Sequence, residues 1–310
     1  MLYLGESHSI VDFHKLWLDG KEALQMDLVV GDLVTRKSHN HDIIFRIGSI
    51  EGETAILHGE DLRLEADAPL SDLEKVTDRE IETYLENEKE QVDYSFRLFR
   101  QDYQLMKEKR NYEASEGYQK ENYFQLPARV LHLDGDRHYL KKCIDLYKRI
   151  GLQVHGLHIL ETDMPAEIAG LIKRIQPDLL VITGHDAYSE RRGDKKDLKA
   201  YRHSKYFVEA VREARRVESN LDQLVIFAGA CQSHFQSIIR AGANFASSPT
   251  RVNIHALDPV YITAKLAYTS FMDKVTVSDV LRNTLTGEKG LGGIETRGFL
   301  RTGMPYLTEE

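Results

Sequence analysis

The chain has 310 residues, 42% hydrophobic and 29% charged, with a formal net charge of −8. That length suggests about two domains whose cores need no covalent staples, and the acidic balance argues against a general nucleic-acid binder. Cys143 and Cys231 are the two cysteines, which argues against a disulfide framework and fits a reducing compartment, and no apolar run approaches the roughly 20 residues of a membrane span.

Residues 1–25 carry Glu6, His8, Asp12 and His14 and lack the uninterrupted apolar stretch of a signal peptide. They are expected to form a weakly helical extension, or a helix packed on the body, with a second candidate start at Met26 and a cytoplasmic location. Residues 26–77 read as short strands, Leu28–Val30, Leu33–Val34, Ile43–Ile47, Thr54–Leu57 and Leu62–Leu64, separated by Gly31-Asp32, Glu51-Gly52-Glu53 and His58-Gly59. Tight turns between short alternating runs predict a small β-barrel-like module of the SH3-like kind.

Residues 78–127 read as a helical connector. Val92, Phe96, Phe99, Tyr103 and Met106 recur every three or four positions and make one apolar stripe. The stripe is expected to pack on the C-terminal domain, with a dimer seam as the alternative.

From Ala128 the rhythm changes. Val130–Leu133, Val154–Leu160, Leu179–Thr183 and Leu224–Ala228 are apolar strands, and helices are expected over Tyr139–Ile150, from Pro165, and over Leu198–Val217. Val252–His255 and a helix from Pro259 come next. Strands that are apolar throughout and alternate with helices predict an α/β domain over 128–310, its parallel sheet covered on both faces.

Ligands of such sheets bind beyond the carboxyl ends of the strands. There the sequence places Asp134-Gly135-Asp136, Gly184-His185-Asp186 and Gly229-Ala230-Cys231-Gln232-Ser233-His234. A cysteine opening a helix would have its thiol acidified by the helix dipole. A histidine on the neighbouring strand end, about 5 Å to the side, could take and return its proton. The Cys231 and Asp186 main-chain N–H groups would face a developing oxyanion, and Gly184 and Gly229 would permit the sharp turns. Taken singly, Cys231 reads as a buried inert thiol and His185 as an ordinary histidine. Together they predict a nucleophile and its general base and acid.

An apolar block ending at a histidine turn, with an Ala-Cys block 46 residues later, resembles the caspase, legumain and clostripain-like cysteine peptidases. Those usually carry glycine directly after the histidine, whereas here Gly184 precedes it and Asp186 follows. Longer blocks are similar to the YabG family of sporulation proteases: Gly31–Ser38, Val130–Asp136, Ile182–Ser189, Phe227–Phe235, Ala241–Pro249 and Gly290–Gly298. That resemblance implies a caspase-like fold and a mother-cell protease, associated with the forming spore coat. It also implies that spore-coat and germination proteins are cut after arginine; a thiol mechanism calls for no cofactor, and the charge and hydropathy lead us to expect no nucleic-acid and no membrane partner.

An arginine pocket needs an acid, for which Asp186 and Asp258 are candidates, with Ser247 and Ser248 as possible lining. Residues 191–216 carry ten basic and four acidic side chains. This is a solvated face or, alternatively, the place of self-processing after Arg191 or Arg192. Two other functions stay open: a non-enzymatic coat scaffold, and a Mg²⁺-dependent phosphatase built on Asp134 and Asp136. Cys231 and His234 lack the neighbouring cysteine of a zinc site, and Gly290–Gly298 lacks the Lys-Ser/Thr of a phosphate loop.

Overall fold

A computed structural model describes residues 28–114 and 124–303. The expectations for residues 1–25 and for a start at Met26 fall outside them. The chain divides into two compact units, Met1–Glu60 with Ala66–Thr83, and Asp61–Glu65 with Tyr84–Glu310.

The first unit is a five-stranded sheet of β1 (Leu33–Arg36), β2 (Phe45–Glu51), β3 (Thr54–Gly59), β4 (Glu65–Pro69) and β5 (Leu73–Lys75), in the order β4-β3-β2-β1-β5. β1 runs antiparallel to both β2 and β5, and β2 to β3. Alternation does what a half-buried sheet requires: Val34, Phe45, Ile47, Ala55 and Leu57 point inward and are buried. Gly52, at φ 62°, makes the β2–β3 turn. Two expectations fail here. Leu28–Val30 forms no strand. Leu62-Arg63-Leu64 is no strand of this sheet, because it bridges His255 and Asp186 in the second unit. β4 escaped the sequence reading because Glu65-Ala66-Asp67-Ala68-Pro69 has none of the β-branched or aromatic residues that mark strands.

α1 (Asp78–Ala114) begins at a reciprocal cap: Thr77 N–H donates to the Glu80 carboxylate (2.7 Å) and Glu80 N–H to Thr77 Oγ1 (3.4 Å). Its stripe packs as expected within the second unit. Phe99 is buried, with its ring 6.3 Å from that of Tyr261 and 6.5 Å from that of Tyr268. Tyr103 meets Tyr268 at 5.0 Å, and the Arg149 guanidinium lies 3.9 Å over Phe96.

After β6 (Phe124–Leu126) the α/β alternation runs β7 (Val130–Asp134), α2 (Arg137–Ile150), β8 (Val154–His158), α3 (Met164–Ile175), β9 (Leu179–Thr183), α4 (Ser204–Val217), β10 (Val225–Ala228), α5 (Phe235–Ala241) and β11 (Phe245–Ser247). It closes with α6 (Asp258–Tyr268), β12 (Lys274–Val275), α7 (Val277–Leu281), β13 (Leu291–Gly293), β14 (Thr296–Arg297) and β15 (Arg301–Gly303). The main sheet has the order β13-β11-β10-β9-β7-β8. Its strands are parallel except β13, which runs antiparallel to β11.

That antiparallel edge was not expected, and the glycine run explains it. A side chain on Gly293 would strike the Asn244 carbonyl oxygen at 2.3 Å, so β13 approaches β11 only as glycine. Val252–His255, read as a strand, makes only the isolated bridge to Leu62.

Leu131, Leu133, Leu180, Ile182, Ile226 and Ala228 face one core with α3 and α4. α2 and α6 cover the other face. Each buried aliphatic side chain stabilises by about 1.5–3 kcal/mol. This explains why β7 and β9 are buried along their whole length while edge strand β8 is only half-buried. Among the described residues no helix is long and apolar enough to cross a membrane.

Candidate active site

In chain order β7 is the first parallel strand. The chain steps to one side for β8 and then to the other for β9. The crevice beyond β7 and β9 is therefore the topological switch point, where ligands of such sheets bind. Ile182 pairs with Ala228, and His185 and Cys231 each lie three residues further on. The two residues singled out from sequence thus leave neighbouring strands in register.

Cys231 is fully buried. Its Sγ accepts from the Ile254 N–H (3.1 Å) and approaches the Ile254 carbonyl (3.5 Å). Burial pushes its thiol pKa up, against the smaller opposing effect of the Ile254 N–H. The expected helix-dipole acidification is not what the geometry offers, because α5 starts only at Phe235. Gly229 turns the chain after β10 at φ 112°, and a side chain there would meet Ser247 Cβ at 3.2 Å.

His185 is buried between two carboxylates. Nε2 lies 3.1 Å from Asp136 Oδ2 and Nδ1 lies 3.4 Å from Glu161 Oε1. Burial alone would lower the pKa of the ring, but the two carboxylates outweigh it and raise it to about 10. Asp136 also caps α2, accepting from the N–H groups of His138 (2.5 Å) and Tyr139 (3.2 Å). Glu161 accepts the His185 N–H at 2.7 Å.

Glu161 was missed from sequence. It follows β8, whose end carries no glycine to mark it as those of β7, β9 and β10 do, and its seat is carved by glycines. A side chain on either Gly135 or Gly184 would come within 2.1 Å of Glu161 Oε1. The unusual Gly-His order is accounted for in this way: Gly184 makes room for the carboxylate that holds His185.

Asp134, fully buried, forms an ion pair with Arg63 Nη1 at 2.9 Å and accepts from Thr183 Oγ1 at 3.1 Å. Burial would raise its pKa, but the guanidinium and His132 hold it below the usual carboxylate range. His132, Asp134 and Cys143 are grouped closely enough to hold a cation. The cation present is Arg63, which also donates to Cys143 Sγ (3.4 Å) and to the Ala256 carbonyl (2.8 Å).

Asp134 and Asp136 serve different partners, so they do not form the shared metal seat of the phosphatase alternative. The Asp186 carboxylate accepts from Ala187 N–H (2.9 Å), His203 N–H (2.8 Å), Ser204 Oγ (2.5 Å) and Ser233 Oγ (2.9 Å). Asp258 accepts from the Leu285 N–H (2.7 Å) and the Thr286 hydroxyl. Ser248 Oγ donates to the Val252 carbonyl at 2.8 Å. Ser247 Oγ is buried with no hydrogen-bond partner among the described residues. Arg191 and Arg192 lie in an exposed 3₁₀ turn.

The two N–H groups expected to face an oxyanion do converge on one oxygen: Cys231 N and Asp186 N both donate to the Arg63 carbonyl, at 3.1 and 3.2 Å. A strand-end thiol, a carboxylate-held histidine and paired N–H donors are the parts of acyl transfer.

The sequence profile of the family described as YabG peptidase U57 matches residues 29–305. A curated relative, the sporulation-specific protease YabG of Bacillus subtilis (strain 168), is 57% identical over 287 residues, covering 91% of this chain and 99% of the relative. No solved structure matches the chain.

Proposed function

This chain belongs to the YabG peptidase U57 family and is a peptidase of sporulation, and from that premise we propose a cysteine mechanism with Cys231 as nucleophile and His185 as proton carrier. What carries the reading is the convergence of the Cys231 and Asp186 N–H groups on a single carbonyl oxygen, at the ends of the two strands that bear the thiol and the imidazole. The neighbouring strand ends also support the caspase-like description. The meander order of the first unit, with one helical turn over Leu70–Asp72 before β5, supports an SH3-like module.

In the proposed cycle the thiol proton resides on His185, and the Cys231 thiolate attacks the scissile carbonyl carbon. The resulting oxyanion is held by the two N–H donors. The C–N bond breaks as His185 protonates the leaving amine. Water, giving its proton to neutral His185, then hydrolyses the thioester. Asp136 and Glu161 are positioning residues: they hold the imidazolium and favour it over the neutral ring. Both ring nitrogens face carboxylates in the state described, so proton delivery requires one of those contacts to open.

The proposed substrates are spore-coat and germination proteins cut after arginine, in the mother cell at the forming coat. Ser247, beside Gly229, is assigned to the cleft wall; Ser248 and Asp258 are weaker members of that set because their polar groups are already engaged. The test is cleavage of an arginine-containing peptide by wild type and Cys231→Ala, with EDTA present and circular dichroism as folding control. Cleavage by wild type alone is expected. Equal cleavage by both would remove Cys231, and inhibition by EDTA would reopen the metal alternative.

A further inference from the structure

Residues Asp61–Glu65 belong by their contacts to the second unit, and the pattern of those contacts is that of a bound peptide. On one side the segment pairs antiparallel with the stretch after Cys231: Arg63 N–H donates to the Ile254 carbonyl (3.2 Å), and Ala256 N–H donates to the Asp61 carbonyl (2.7 Å). On the other side Glu65 N–H reaches the Asp186 carbonyl at 3.4 Å. Between them the Arg63 carbonyl sits on the Cys231 and Asp186 N–H groups, and the Tyr139 hydroxyl donates to the Leu62 carbonyl at 2.6 Å.

The Arg63 side chain fills a closed acidic pocket, 2.9 Å from Asp134, with its guanidinium 5.1 Å over the Tyr139 ring and wholly shielded from solvent. A brace that only linked elements would need the ion pair. It would not need its own carbonyl on both donors beside the thiol, nor strand pairing on the two walls of the cleft.

Building on the cysteine-peptidase reading above, we propose that Asp61–Leu64 is the enzyme's own first substrate, seated with Arg63 on the acyl side of the bond to be cut, and that Asp134 is the acid that reads arginine. The bond is Arg63–Leu64. The Cys231 thiolate adds to the Arg63 carbonyl carbon, and the C–N bond breaks with the proton from His185 going to the Leu64 nitrogen. Water then releases the Arg63 carboxylate. Until that cut the segment occupies the cleft, so the uncut chain is latent. The acid that the Arg63 guanidinium pairs with is Asp134, at 2.9 Å, rather than Asp186 or Asp258, the acids expected from sequence.

The test is intact mass and N-terminal sequencing of wild type and Cys231→Ala, together with a peptide spanning residues 58–68 offered in trans. Expected are a wild-type fragment beginning at Leu64, an uncut Cys231→Ala chain, and scission of the peptide at the same bond. Folded Cys231→Ala mixed with wild type should stay uncut at Arg63, because its own cleft shields the bond.

A wild type that cuts the peptide while its own Arg63–Leu64 bond persists would overturn the proposal and leave the cysteine mechanism standing. So would self-cleavage confined to Arg191 or Arg192, or scission of Cys231→Ala by wild type at Arg63. A folded wild type that cuts neither itself nor any arginine peptide would overturn both readings.

Discussion

His185 holds its proton because of its neighbouring carboxylates, and this fixes how the site should respond to substitution and to pH. Its folded pKa of about 10 lies above the ordinary histidine value of about 6.5. The charge therefore stabilises the fold fully below about pH 6.5, and the contribution is lost as pH rises through about 10. Thermal unfolding of wild type and His185→Gln should differ most below about pH 6.5 and converge above pH 10. Glu161→Gln removes one of the two carboxylates, so the imidazole titration followed by NMR should move down. If Glu161 were a bystander, the titration would not move. His185→Ala should cost about 10²–10⁴-fold in kcat on an arginine peptide. Gly184→Ala pushes a methyl group into the Glu161 carboxylate, and overpacking of this kind costs about 1–3 kcal/mol, measurable by urea unfolding.

At the scale of elements, α1 illustrates how much of the packing a periodicity encodes. The stripe from Val92 to Met106 was legible because helical spacing projects those residues on one side whatever the partner. That the partner is chiefly α6, through Tyr261 and Tyr268, was not legible, since the aromatic residues of α6 lie more than 150 positions away in sequence. Phe99 is buried among them, so Phe99→Ala should destabilise by about 3–5 kcal/mol in chemical unfolding, with a near-normal result pointing to a loosely held helix. β4 and β5 were missed for the converse reason: their residues carry no local strand signal, and only pairing with β3 and β1 makes them strands.

For the molecule as a whole, the buried Arg63–Asp134 pair joins the segment that departs from the first unit's sequence to the floor of the second unit's sheet. Removing one partner strands a charge away from water, which costs about 3–5 kcal/mol, whereas replacing both by apolar groups restores much of that. Asp134→Asn should therefore be strongly destabilising, and Arg63→Met with Asp134→Leu much less so than the sum of the single changes, as read by a double-mutant cycle in urea. The pair's acid limit has the opposite sign to that of His185. With Asp134 held below its ordinary value, its contribution is present above about pH 3.9 and fades as pH falls through the lower folded value.

The alternation of strands and helices, the residues that stand at three strand ends and the helical stripe could all be read along the chain, because each depends on residues close together in it. It took the folded molecule to place Glu161 between Gly135 and Gly184, and to bring Arg63, one basic residue between two leucines, into the second unit beside Asp134 and Cys231. Those placements depend on which strand ends become neighbours and on where a short segment finds its unpaired main chain satisfied. These are long-range pairings for which local periodicity leaves no mark.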